Sequence, residues 1–430
     1  MRLADKVLHK FKNLSGDNKS VLTLVGGTTI AQTLSFLFSP ITTRLFSPEV
    51  FGDLSVFTSI TGIIGIVICL RYELSIVLPK DNDEGFSLLK LCYIFTIIVS
   101  GITGIIFLFG SEVIYEKFGA KNLAGYWYYV PLILLLTGII QASNYWLTRT
   151  RMFKILSLNK VLPVIAVNLV SIVLGFMGYK NVGARLAAIL VSNIINLVVL
   201  AKAIIPEFRG KKHENKYTYR NLIGRYKNYL VYDIWGALLN NLSWLIVPIL
   251  MNYYYSSTAA GQYSIGMRVI QIPASIIGSS VAQVFLKNAS EKLYNKNLYP
   301  YCISTIKKLF KYTAPVAIIL FLFGKDIFSL IFGEKWSAAG VYTQILAPWA
   351  IVWFISSPIS SIYTVKQKQN ISLITSSLNL VTRVLSLYLG QKYGDDLLGL
   401  KLFSLSGICI NGLSIYLCLR IAKKNDSVDG

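Results

Sequence analysis

Apolar runs of about 20 residues, long enough to cross a bilayer, recur along the chain. They fall at roughly 20–45, 54–79, 86–109, 126–148, 155–177, 183–205, 228–251, 261–286, 309–332, 341–364, 370–390 and 396–419. Each exceeds the length of an ordinary buried strand and therefore predicts a helix. Backbone groups in lipid must also find their partners within the segment, which again favours helices. The longest interruption is the polar stretch from Pro206 to Lys227, PEFRGKKHENKYTYRNLIGRYK. It separates residues 1–205 from residues 228–430, and six runs lie on each side. The pattern predicts an all-α polytopic membrane protein of twelve transmembrane helices. They form two six-helix bundles joined by a basic hinge at 206–227.

The two halves resemble each other. Phe107–Gly119 reads FLFGSEVIYEKFG and Phe321–Gly333 reads FLFGKDIFSLIFG, with six of thirteen positions identical at an offset of 214 residues. Offsets of 208 to 209 align Pro40-Ile41 with Pro248-Ile249 and GDLSV from Gly52 with GQYSI from Gly261. An offset of 211 aligns Asn168-Leu169-Val170 with Asn379-Leu380-Val381. Three matches in order at nearly one spacing indicate a duplicated unit. With six spans each, both copies enter the membrane from the same side. They are therefore parallel repeats about an axis along the membrane normal, with a central cavity between them.

Composition narrows the class. Charged residues make up 14% of the chain, hydrophobic residues 54%, and the mean hydropathy is +0.56. Soluble domains carry about 25% charged residues. The polar residues 1–19 precede an apolar run too long for a signal-peptide core and without an A-x-A site, which predicts an uncleaved first span. Five scattered cysteines form no C-x-x-C pair and read as small apolar packing residues. The two histidines, His9 and His213, lie in polar segments. Histidine metal sites and Ser-His-Asp triads are thereby excluded from the membrane interior, so neither a metal nor a catalytic residue is assigned.

The net charge of +22 is topological. The N-terminus, the alternate connections, the hinge and the C-terminus hold 30 of the 42 Lys and Arg residues. The opposite connections hold nine, among them Arg44, Lys117, Arg185 and Lys335. Basic residues collect on the cytoplasmic side, so both termini are expected there, against anionic lipid. No basic module separable from the spans exists for nucleic acid to bind.

Three arginines, Arg71, Arg268 and Arg383, lie within spans. A mid-helix arginine costs about 2.5–3.5 kcal/mol on insertion scales and usually faces an interior or a water-filled cavity. Arg383 is about 20 Å into its span at the helical rise per residue. Arg268 is some seven residues from the outer end of its own, whereas Arg71 is within reach of the inner surface by snorkelling. All three are candidate substrate ligands. Glu73 and Asp233 are the clearest deep acids and the candidates for binding a coupling H⁺ or Na⁺. Glu73 is not expected to neutralise Arg71, because positions i and i+2 diverge on a helix. A cross-helix pair between Asp233 and an arginine is compatible with the sequence. The aromatic clusters at 126–129 and 253–255, with Trp349 and Trp353, read as interfacial belts, stacking on sugar rings being the alternative. Prolines within spans, such as Pro40, Pro248 and Pro348, permit bending.

Several of these stretches resemble a known family. SPITTRLFSPEVFGDLSVFTSI (39–60), RYELSIVLPKDNDEG (71–85), YKNYLVYDIWGALLNNLSWLIVPIL (226–250) and AGQYSIGMRVIQIPASIIGSSVAQVFLKNASE (260–291) are similar to bacterial O-antigen and capsule repeat-unit flippases. These belong to the multidrug/oligosaccharidyl-lipid/polysaccharide exporter superfamily. The resemblance implies a flippase in the bacterial inner membrane, not an enzyme, needing no cofactor beyond a coupling H⁺ or Na⁺. Its cargo is an undecaprenyl-pyrophosphate-linked oligosaccharide, and its further partners are membrane lipids and polysaccharide polymerase or assembly proteins. It also implies a cationic cavity for the pyrophosphate, which suits Arg268, since relatives carry a cavity arginine in the same span. Relatives that flip the peptidoglycan precursor have two further helices and arginine in the first span, whereas residues 20–43 here carry no charge. The alternatives are a drug or metabolite exporter of the same superfamily and a membrane glycan polymerase, for which the outer connections are short.

Overall fold

The computed structural model describes residues 16–210, 217–273, 278–294 and 297–427. Residues 1–15, the middle of the predicted hinge (211–216) and residues 274–277 of the predicted eighth span lie outside them. Every regular element among the described residues is a helix. The N-terminal half contains α1 (Gly16–Leu45), α2 (Pro48–Ile66), α3 (Asn82–Lys117), α4 (Tyr129–Arg149), α5 (Phe153–Phe176) and α6 (Val182–Gly210). The C-terminal half contains α7 (Ile234–Tyr254), α8 (Ser257–Pro273), α9 (Ser279–Tyr294), α10 (Leu298–Phe332), α11 (Ser337–Ile359), α12 (Gln369–Tyr393) and α13 (Asp396–Ser427). Among the described residues, eleven helical segments are long and apolar enough to cross a membrane. The remaining predicted span, the eighth, falls on α8 and α9, on either side of 274–277.

Local chemistry sets the helix ends. Pro48 opens α2 after Ser47, with Glu49 in the first turn against the positive end of the helix dipole. Asp81 caps α3 by accepting a bond of 3.0 Å from the Asp83 amide, and Asp83 and Glu84 follow in the first turn. α3 has 36 residues and α10 has 35, so each is over 50 Å long and outreaches the hydrocarbon core of about 30 Å. Large apolar side chains project outward along α3, among them Phe109, which is 83% exposed. Such a surface is a liability in water and at home in lipid. This is a multi-pass membrane protein.

The duplication is visible in three dimensions. The FLFG segments close the two longest helices, α3 and α10. Gly119 and Gly333, which end the matched segments, both take positive φ, +68° and +103°. A short 3₁₀ turn follows each, at Lys121–Tyr126 and Glu334–Trp336. The other matched pair, Gly52 and Gly261, meet each other where α2 crosses α8. A methyl group on Gly52 would overlap the carbonyl oxygen of Ser257, and one on Gly261 would overlap that of Pro48. Only hydrogen fits on either helix, so the backbones of the two halves touch at equivalent residues. Gly52→Ala and Gly261→Ala are each expected to cost about 1–3 kcal/mol by overpacking. Gly412→Ala has open space around the new methyl and gains a few tenths of a kcal/mol of helix propensity. Thermal melting of the three purified variants checks the contrast.

The helices alternate up and down, which puts the start of α1 and the end of α13 on one side, called here the terminus side. The halves are tied together on the other, far side. There Asn252 donates to the Phe118 carbonyl at 2.7 Å and Ser257 to the buried Asp53 carboxylate at 3.0 Å. Lys335 donates to the Phe46 carbonyl at 3.0 Å, and the Trp336 indole to that of Thr43 at 2.8 Å. An aromatic cluster drawn from both halves, including Phe46, Phe51, Phe328, Phe332 and Trp336, fills the space behind these bonds. On the terminus side a cleft lies between the halves, bridged where Arg71 pairs with Asp233.

One predicted span is shorter than its apolar run. α2 stops at Ile66; Leu70 and Arg71 take left-handed φ of 51° and 66°, and a 3₁₀ turn covers Tyr72–Val77. Left-handed backbone costs a non-glycine residue roughly 1–2 kcal/mol. The turn separates side chains that a helix could not. Tyr72, Glu73 and Ile76 point into the N-terminal half and are fully buried, while Arg71 points toward the C-terminal half.

Candidate functional site

A cleft between the halves has two regions of polar wall. The deeper one, a cavity of about 480 Å³, lies between α1, α2, α7 and α8. Gln32, Ser35, Ser55, Thr58, Ser59, Ser264 and Gln271 supply hydroxyls and amides, while Trp244, Tyr263 and Met267 supply apolar surface. Arg268 is the charged residue of this wall. Among the described residues no carboxylate pairs with it. Its position follows from α8 itself, where Ser264, Arg268 and Gln271 recur at helical spacing on one face while Ile265 and Ile270 are buried in the bundle. A half-buried guanidinium with free donors has the chemistry to take an anion, and its planar fork matches phosphate oxygens.

Nearer the terminus side the cleft widens to about 590 Å³, lined by Arg71, Asn228, Tyr229, Tyr232, Asp233, Asn240 and Asn241. Arg71 donates through Nε to Asp233 Oδ2 at 2.7 Å and lies 3.5 Å, through Nη1, from Glu73 Oε1. Glu73 also accepts from Gln141 Nε2 at 3.0 Å, and its Oε2 is buried without a partner. The structure thus joins three of the five sequence-predicted residues in one cluster. It reverses the expectation that Glu73 leaves Arg71 alone. That argument assumed a helix, and the left-handed turn at Leu70–Arg71 removes it. Asp233 belongs to a π-helical turn, Tyr229–Asp233, at the start of the seventh span. Irregular backbone on both sides of one ion pair is characteristic of functional sites.

Arg383 lies elsewhere. It is 4% exposed inside the C-terminal half, with its guanidinium 4.2 Å from the Trp244 ring centroid, 5.2 Å from that of Phe403 and 5.8 Å from that of Trp349. Its Nη1 donates to the Ser243 carbonyl at 2.5 Å. The cavity begins on the other side of Trp244, so Arg383 stands one ring behind the wall. Trp349 is likewise fully buried, in a stack with Trp244 and Trp353, and is not part of an interfacial belt.

The described part of the hinge is anchored to the N-terminal half. Tyr217 donates to Asp81 Oδ2 at 2.7 Å, and both Arg225 and Tyr226 bond Glu84 Oε1, at 2.7 and 3.0 Å. Arg149 donates to the carbonyls of Ile76 and Asp81 and to Asn82 Oδ1. A methyl on Gly85 would lie 2.8 Å from the Arg149 guanidinium and push it from these partners. The RYELSIVLPKDNDEG run is therefore the hub where hinge, α4 and cleft meet.

Arg185 escapes a sequence reading. Counted there with the outer connections, it instead lies in the first turns of α6 and is buried. The serines and glutamines of the cavity wall carry no distinguishing pattern along the chain.

Comparison with known proteins is decisive at this point. The family model described as "Polysaccharide biosynthesis protein" matches residues 41–340. The chain belongs to this family. The Teichuronic acid biosynthesis protein TuaB of Bacillus subtilis (strain 168) is 24% identical over 271 residues, 62% of this chain. The chain spans about half the length of that curated relative, 54%. Among solved structures, an inward-facing MATE family multidrug resistance transporter of the MOP superfamily superposes with a TM-score of 0.73, covering 93% of this chain and 96% of its own. The lipid II flippase MurJ in an inward closed conformation gives 0.74, covering 93% and 89%. Both are 16% identical to this family member, so they establish its fold. An outward-facing MATE transporter gives a lower TM-score of 0.62 at the same identity.

Proposed function

We propose that the chain is a flippase for an undecaprenyl-pyrophosphate-linked oligosaccharide, an O-antigen or capsule repeat unit, in the bacterial inner (plasma) membrane. Both termini face the cytoplasm, and the cargo enters the cleft from that side and leaves from the other by alternating access. The observation that carries this reading is the deep cavity between the halves, with unpaired Arg268 set among hydroxyls and amides. The arginine takes the pyrophosphate, the polar wall takes sugar hydroxyls, and the polyprenyl tail remains in lipid. The family description, the name of the teichuronic acid relative and the flippase among the structural neighbours support the same substrate class.

Arg71 is the entrance ligand in this reading. It is neutralised by Asp233 and Glu73 in the empty cleft and freed when a proton or Na⁺ is taken up by either acid. The orphan oxygen of Glu73 supports such coupling. Polysaccharide polymerase and assembly proteins act downstream on the exported unit. An exporter of drugs or metabolites is the second reading, which the shared superfamily fold keeps in play. A carboxylate-free deep wall suits anionic cargo better than lipophilic cations.

Deleting the gene separates these readings. Lipid-linked single repeats are expected to accumulate on the cytoplasmic leaflet, where an impermeant glycan-modifying probe reaches them only in inverted vesicles, and surface polymer disappears. Single repeats on the outer leaflet would instead indicate a polymerase. Unchanged glycan with altered drug tolerance would indicate the exporter.

A further inference from the structure

Arg185 is a buried charge that the transport reading leaves unused. It is 5% exposed near the far-side end of α6. Its guanidinium lies over the rings of Phe46 and Phe51, 5.4 and 5.0 Å from their centroids. Nε and Nη1 have no hydrogen-bond acceptor. No carboxylate pairs with the group among the described residues, and the charge whose field reaches it is Arg268, of like sign. Aromatic faces attract a cation but offer no lone pairs to its N–H donors. A guanidinium buried in this way is held in place and left unsatisfied, which a purely structural arginine rarely is.

Its cover is the far-side closure itself. Phe46 and Phe51 belong to the cluster drawn from both halves, and Phe51 meets Trp336 of the other half edge-on, with centroids 5.2 Å apart. Alternating access must part this cluster, because its members move with different halves. Parting it strips the cover from the free donors of Arg185, which lies nearer the far side than Arg268 does. We propose that Arg185 is a second anion station, shut behind the Phe46–Phe51–Trp336 closure in this state, which receives the phosphate-bearing headgroup from Arg268 as the far side opens. The inference rests on the anionic-lipid reading above and adds to it a residue and a direction of travel. Two like charges in series, the second uncovered only late, keep the anion from settling at either.

The full-length protein carrying Arg185→Met, Arg185→Lys or Arg268→Gln tests this, with three readouts. These are farnesyl pyrophosphate binding to purified protein, melting temperature, and sidedness of the lipid-linked repeat in a deletion strain. Wild type is expected to bind the probe and Arg268→Gln to bind it at least about tenfold more weakly. Arg185→Met should bind it nearly as wild type, because its station is closed in the resting form, and should melt no lower, because an unpaired charge has gone. The same variant should nevertheless leave the repeat on the cytoplasmic leaflet, and Arg185→Lys should restore part of the transfer. Normal transfer by a folded Arg185→Met protein would overturn the proposal. So would a lowered melting temperature in both Arg185 variants with equal loss of transfer, which would make the arginine a prop for the aromatic cluster. Absence of probe binding by wild type would instead defeat the anionic-lipid reading, and the second station with it.

Discussion

Arg268→Ala is expected to abolish surface polymer while leaving protein abundance unchanged or raised. The arginine is the charged group of the deep cavity wall and has no carboxylate partner among the described residues, so none of these depends on it for neutralisation. Removing an unpaired cation from the depth of a span relieves an insertion penalty of about 2.5–3.5 kcal/mol at most. In the loaded protein the same residue faces a pyrophosphate in a largely desolvated site. Truncating one member of such a pair costs about 2–5 kcal/mol, and a middle value of ~3 kcal/mol lowers affinity on the order of 100-fold. Arg268→Lys keeps the charge but loses the bidentate fork, so an intermediate affinity is expected. Titration of the purified variants with farnesyl pyrophosphate checks the order wild type, lysine, alanine. A parallel immunoblot separates lost function from lost protein.

Arg383→Ala should act in the opposite way, damaging the fold and sparing the site. Its guanidinium packs against Trp244, Phe403 and Trp349 and donates to the Ser243 carbonyl. Alanine leaves a void among three rings and an unpaired carbonyl, a loss of about 3–5 kcal/mol by analogy with large-to-small core changes. Arg383→Met keeps most of the volume without the charge and should be close to neutral, as replacements of buried ionic groups by apolar ones often are. Tryptophan fluorescence and melting temperature read the first effect. The second readout is farnesyl pyrophosphate affinity, which Arg383→Met should leave within a few-fold of wild type. A folded Arg383→Met protein that binds the probe on the order of 100-fold more weakly would instead put this arginine in contact with the cargo.

Sequence revealed eleven of the spans and the internal repeat, because these depend on periodicity, but it did not reveal that two of the matched residues touch. Gly52 and Gly261 matched in register along the chain and are in contact in space. Sequence did not reveal the end of α2. The apolar run continues without a break from Ile66 to Leu70, and hydropathy does not distinguish a helix from a left-handed turn packed inside a bundle. The arginines divide for a different reason. Position in a span gives depth, whereas the direction a side chain faces changes by about 100° per residue along a helix. Arg268 and Arg383 looked alike by depth, but one lines the cavity and the other sits behind Trp244. Arg185 was invisible because its burial comes from Phe46 and Phe51, remote in sequence and brought over it by the packing of α2 on α6.

The most direct test of the central claim is transfer of cargo by the purified chain in liposomes. Vesicles carrying an undecaprenyl-pyrophosphate-linked oligosaccharide in both leaflets are challenged with an impermeant glycan-modifying enzyme. Protein-free vesicles should protect the inner-leaflet pool, about half of the total. Wild-type protein should make that pool accessible with time, and Arg268→Ala protein should not. If wild-type vesicles protect the inner pool as long as protein-free ones, under imposed H⁺ and Na⁺ gradients alike, the protein is not a flippase for this lipid.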